Sequence, residues 1–138
     1  MKANNSYIGL DIGDRRVGIA VSQSGLICSG LETYIRRTLE LDADYILKLA
    51  DEYNVKNIVA GRPMHLNGDH HVQEDKNELL LSRLRERGIN IILWDERFSS
   101  VSAEKVLLQA DVSRRKRKNN IDKMAAVIIL QNYLDSIN

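Results

Sequence analysis

The chain has 138 residues, the length of one domain able to bury roughly two-thirds of its unfolded surface. Hydrophobic residues at 43% and charged residues at 28% exclude wholesale disorder and match an ordinary soluble globular protein. With 20 Lys and Arg against 19 Asp and Glu, the net charge of +1 does not mark a polyanion binder, so any basic face must come from where the charges lie.

The N-terminus, "MKANNSYIGL", lacks the apolar stretch of a signal peptide, and no segment approaches the ~20 apolar residues of a membrane span. A cytoplasmic protein with no membrane partner is expected. The single cysteine, Cys28, has no second thiol for a disulfide or a thiolate metal site and reads as a buried structural residue.

In chain order, "YIGLDIGDRRVGIAVS" (7–22) reads as two antiparallel strands, with "LICSGLETYI" (26–35) a third after Gly25. Leu39, Ala43, Ile46, Leu47 and Ala50 recur at helical spacing from about Thr38 to Tyr53. "KNIVAG" (56–61) is a short apolar strand, followed by a loop marked by Pro63 and Asn67-Gly68. A second helix is expected over about 72–87, closed by Gly88 in the left-handed position after a helix. "INIILW" (89–94) is another buried strand. Ser99 or Ser100 can cap a short helix reaching about Gln109; "ADVSRRKRKNN" then reads as a mobile loop, and the last helix is expected to begin near Ile121. This order predicts an α/β domain with a five-stranded mixed sheet, its N-terminal three strands antiparallel, flanked by helices and occupying residues 1–138 as one unit.

Asp11 interrupts the apolar run of the first strand just before an Ile-Gly pair, and an isolated buried charge costs several kcal/mol, of order 3–5 when its partner is missing. Asp95 and Glu96 follow directly on "INIILW". If these strands are parallel neighbours, Asp11 and Glu96 meet outside the carboxyl ends of the strands, where open α/β sheets put their chemistry. Asp122, expected in the first turn of the last helix, is a third acid. Unit charges ~4 Å apart repel by roughly 4 kcal/mol at an effective dielectric of 20, so converging carboxylates need protons or a cation. An all-oxygen donor set favours Mg²⁺ or Mn²⁺. Such a site suits phosphodiester hydrolysis. The basic run Arg114, Arg115, Lys116, Arg117 and Lys118 would hold the backbone of a nucleic acid beside it.

Each reading has a plainer rival. Asp11 before a glycine turn can bond local N–H groups. Asn119 followed three residues later by Asp122 resembles a capping box, with the acid favoured by the helix dipole. Glu96 can pair with Arg97, Asp95 can bond nearby backbone, and charge runs are often solvated loops. His65, His70 and His71 lack a regular zinc-ligand spacing. Gly13 and Gly18 suit a hairpin turn and a close backbone approach, and Trp94 suits packing within the sheet.

"GLDIGDRRVGIAVS" (9–22), "VAGRP" and "NG" of the middle loop, "DERFSS" (95–100) and "IDKMAAVIILQNYL" (121–134) together resemble the YqgF/RuvX family, RNase H-like nucleases related to the Holliday-junction resolvase RuvC and implicated in maturing the 5′ end of small-subunit ribosomal RNA. The resemblance implies an RNase H fold and assigns the family's three acids, as catalytic metal ligands, to Asp11, Glu96 and Asp122. Asp14 stands where the family usually has Thr or Ser, and Arg62 where it has Leu in a "GLP" turn. Asp14 would tighten cation binding or weaken phosphate binding, and Arg62 would add a nucleic-acid contact.

The expected function is a divalent-metal-dependent nuclease acting on precursor ribosomal RNA or branched DNA, with Arg97 and the basic run positioning phosphates. A homodimer would help with four-way junctions. The rivals are a module of the same fold that binds nucleic acid without cutting, and an actin-like ATPase, for which the chain is too short.

Overall fold

The computed structural model describes residues 5–62, 72–96 and 114–138. Five strands, β1 (Tyr7–Ile12), β2 (Arg16–Ser22), β3 (Ser29–Ile35), β4 (Asn57–Arg62) and β5 (Asn90–Asp95), form one sheet in the order β3-β2-β1-β4-β5. The first three are antiparallel, and β4 and β5 run parallel to β1. The mixed sheet expected from the sequence is present. The expected short helix at 99–109 and the three histidines lie outside the described residues.

Strand alternation divides the sheet into two faces. Ile8, Leu10, Ile12, Val17, Ile19, Val21, Ile58 and Ala60 point to one face. There they pack against Ala43, Ile46, Leu49 and Ala50 of α1 (Leu39–Glu52) and Leu80, Leu81 and Leu84 of α2 (Val72–Glu86). Ala20 and Val59 point to the other face, under Ala125, Ala126, Ile129, Leu130 and Leu134 of α3 (Arg114–Ile137).

The helix ends follow local chemistry. Thr38 caps α1 by accepting from the Leu41 amide at 3.2 Å. Asn54, with φ of 54°, and Gly88, with φ of 94°, take the left-handed position after α1 and α2. In both cases the next residue donates back into the helix, Val55 N–H to the Ala50 carbonyl and Ile89 N–H to that of Leu84.

The start of α3 differs from expectation. The helix begins at Arg114, not near Ile121, so the basic run is helical rather than a loop. Arg and Lys are good helix formers, and no Gly or Pro interrupts 114–121. Asn119 consequently sits inside the helix rather than at its N-cap position, and Asp122 lies more than two turns in, away from the N-terminal dipole.

One buried polar network ties the start of α1 to the β1–β2 turn. Asp42, fully buried, accepts from Tyr34 Oη (2.8 Å), Arg36 Nε (3.0 Å) and the Arg37 amide (2.8 Å). The Arg36 guanidinium also donates to the Gly13 carbonyl, and its amide to that of Arg15. Burial, reinforced by the Asp42 carboxylate, pushes the Tyr34 hydroxyl up to about 12, which keeps it a donor. Tyr34 stacks on Tyr45 with ring centroids 4.5 Å apart, and the Tyr45 hydroxyl donates to Glu32. Asp42→Ala is expected to cost about 3–5 kcal/mol in urea unfolding, because it leaves the Arg36 charge buried without its counter-ion.

Candidate active site

Asp11 occupies the α3 face of β1, opposite Gly18 of β2 in the antiparallel register. It is buried, at 9% exposure. Gly18 has no side chain because α3 crosses there: a Cβ on it would lie 1.8 Å from the Asp122 carbonyl oxygen. Asp11 and the backbone of Asp122 therefore share one small stretch of the β1–β2 ladder.

Glu96 reaches the same face by a different route. β5 is not the neighbour of β1 that would bring Asp11 and Glu96 together directly; β4 lies between them. Adjacent strands sit ~4.8 Å apart, so the backbones of β1 and β5 are separated by about twice that. The intervening position is Gly61, where a Cβ would stand 3.0 Å from Glu96 Oε1. The absence of a side chain at Gly61 lets Glu96 lean across β4 toward Asp11. The same position admits Ile129 of α3, whose Cδ1 would be 2.4 Å from that Cβ.

Glycines thus form the floor under α3. Gly9 lies beneath Leu130 and Gly30 beneath the Lys123 side chain. Gly13 has a separate role, closing the β1–β2 turn by donating to the Arg16 carbonyl at 2.8 Å. Of the glycines beneath α3, only Gly18 stands out in the sequence as a close-approach residue. Gly61 is the position that the sequence does not reveal, since its importance depends on β4 being the middle parallel strand.

The three carboxylate-bearing segments thus lie along the α3 face of the sheet, and Asp11, Asp95, Glu96 and Asp122 each take part in hydrogen-bond or electrostatic contacts. Among the described residues, no three His, Cys, Asp or Glu side chains are drawn into a closed metal-holding cluster. Arg97 lies outside the described residues, and Arg114–Lys118 form the beginning of α3 on the N-terminal side of Asp122. Arg62 ends β4 opposite Asp95. Trp94 packs edge-on against Tyr133, with ring centroids 5.9 Å apart, as expected for a residue within the fold. The Cys28 thiol, raised to about 11 by burial, donates to the Val127 carbonyl and is unsuited to nucleophilic chemistry.

A five-stranded mixed sheet with acids at the ends of its first and last strands and a helix laid over the junction is the architecture of RNase H-like resolvases. Among solved structures, Thermus thermophilus RuvC bound to a Holliday junction superposes with a TM-score of 0.63 over 96% of this chain and 94% of that one, at 12% identity. The fowlpox virus Holliday junction resolvase gives 0.55 over 96% and 99%, at 11% identity. These likenesses define the fold. The chain itself belongs to the RuvX family: the family model, described as Holliday junction resolvase, matches residues 5–136. It is 46% identical over 131 residues to a Desulforamulus reducens protein named "Putative pre-16S rRNA nuclease", covering 94% of this chain and 96% of that one. A Thermoanaerobacter pseudethanolicus protein of the same name is 47% identical over 132 residues, covering 94% and 95%. Membership of this nuclease family makes the protein a hydrolase. No helix among the described residues is long and apolar enough to cross a membrane.

Proposed function

We propose that the chain is one nuclease domain, residues 1–138, that hydrolyses phosphodiester bonds in structured nucleic acid and matures the 5′ end of precursor 16S ribosomal RNA. The observation that carries this reading is the meeting of the Asp11, Glu96 and Asp122 segments on one face of the sheet, around Gly18 and Gly61. The names of the curated relatives supply the substrate.

The donor chemistry fits Mg²⁺ or Mn²⁺: three carboxylates, with no nitrogen or sulfur among them. Asp11, Glu96 and Asp122 would hold the ion. When bound, it would polarise the scissile phosphodiester and stabilise the leaving oxygen. Asp11 would contribute from a buried strand and Glu96 from across β4. Arg97 and the basic segment Arg114, Arg115, Lys116, Arg117 and Lys118 would hold backbone phosphates on the side from which α3 enters. The reading implies a cytoplasmic location, where ribosomal RNA is processed.

Purified protein incubated with precursor small-subunit ribosomal RNA is expected to cut it in Mg²⁺ and to leave it intact in EDTA. Binding without cutting in Mg²⁺ or Mn²⁺ would favour the non-cleaving module. Four-way DNA junctions run beside the RNA test a second reading, favoured by the junction bound to the T. thermophilus RuvC neighbour. Junction cutting in preference to RNA would make the chain a resolvase, acting as a homodimer.

A further inference from the structure

We infer that the cleft between the β1–β2 turn, the end of β3 and the start of α1 binds an unpaired nucleotide of the strand leaving the carboxylates, with Arg15 and Arg37 on its phosphates. The cleft has a volume of about 510 Å³ and lies on the α1–α2 side of the sheet, at the same end of β1 as Asp11. This inference rests on the nucleic-acid reading above, but its residues are none of those assigned there.

The cleft combines two chemistries. Ile35, Leu39 and Leu79 give it an apolar lining, and Ile35 and Leu79 are 66% and 51% exposed, unusually open for their type. Arg15 and Arg37 line it as well, and among the described residues neither side chain is engaged in a hydrogen bond or ion pair. Arg36, the third arginine of the cleft, is consumed by Asp42. Asp14 reduces the charge but does not cancel two guanidinium groups. A ligand that matches is flat and apolar on one part and doubly anionic on another, which describes a base with its two flanking phosphates.

The site is built rather than incidental. The Arg15 carbonyl accepts from the Arg36 amide at 2.8 Å, and the Arg37 amide donates to buried Asp42 at 2.8 Å. Arg37 therefore projects from backbone bonded to buried Asp42, and Arg15 from backbone bonded to Arg36, whose guanidinium pairs with the same carboxylate. Such anchoring holds a phosphate contact in place at lower entropic cost than lysines on a free loop. Arg15 lies four positions after Asp11, at most ~14 Å of extended chain, so one strand can engage both the carboxylates and the cleft within a few nucleotides.

The test is fluorescence anisotropy of a labelled single-stranded 12-nucleotide RNA, and of its duplex, in EDTA, with the full chain and with the Arg15→Gln/Arg37→Gln variant. Expected are at least about tenfold weaker single-strand binding at low salt and a slope of log affinity against log salt shallower by about 1.4, the amount for two phosphates of a single strand. The duplex should lose less. An unchanged affinity and slope in a variant that melts like the parent would overturn the inference, as would equal losses on both probes or a parent that binds neither. Asp11→Asn separates this from the nuclease reading. If no protein cuts in Mg²⁺ but the double variant still loses single-strand binding, the cleft stands and the nuclease reading falls. If cutting depends on Asp11 while the double variant binds like the parent, the cleft falls alone.

Discussion

Asp11→Asn is expected to reduce cleavage of precursor ribosomal RNA in Mg²⁺ by at least about a thousandfold, the scale on which removing a preorganised electrostatic group at a reacting centre acts. The substitution keeps the shape of the side chain and an oxygen that accepts hydrogen bonds, and removes only the charge. Asp11 is buried on the sheet face beneath α3, so the neutral isostere also spares the fold the desolvation of a charge. The melting temperature should therefore hold or rise while activity disappears. Cleavage kinetics and a thermal melt of the same preparation check both halves. A variant that cuts at the parental rate would show that the meeting of acids has no catalytic role, whereas one that no longer melts cooperatively would assign Asp11 to the fold.

Gly18→Ala should be the most damaging substitution of a single methyl group. Its Cβ would stand 1.8 Å from the Asp122 carbonyl oxygen and 3.0 Å from the Lys123 amide nitrogen. Both are backbone atoms of a helix, which cannot swing aside as a side-chain terminus can. Overpacking of a well-filled interior costs about 1–3 kcal/mol, and here the upper part of that range or more is expected because α3 itself must lift. Urea unfolding measures the loss. Gly61→Ala supplies the comparison: its worst contact is the mobile Cδ1 of Ile129, so stability should fall less, while the displaced Glu96 should still lower cleavage. Equal losses of stability at the two positions would contradict the distinction.

Much of this arrangement was legible in the sequence because it is carried by local signals. Alternation in residues 7–22, helical spacing from Leu39 to Ala50 and Gly88 after the second helix define elements whose causes lie within a few residues. Acids directly after or within apolar strands pointed to Asp11 and Glu96 for a similarly local reason. Strand order was less accessible: that β4 separates β1 from β5 depends on crossovers, so neither the separation of the two acids nor the bridging role of Gly61 could be read off. The basic run reads as a loop from its charge, yet its Arg and Lys have helix propensity enough to continue α3, which removes the capping position expected at Asn119. Arg15 and Arg37 each sit in an ordinary Arg-Arg pair, and only the fold brings these two side chains to one cleft.

The glycine floor beneath α3 has a dynamic consequence. Asp11 and Glu96 are carried by the sheet, whose other face is secured by α1 and α2, whereas Asp122 arrives on a single helix packed on Ala20, Val59 and the backbone of the glycines. Sub-global opening that releases α3 would scatter the three acids while most of the sheet kept its pairing. The competent fraction of molecules is then set by the docking equilibrium of one helix, not by global stability. Amide hydrogen exchange along 121–137 would report that equilibrium directly, residue by residue, as a free energy below that of the β1–β2 ladder.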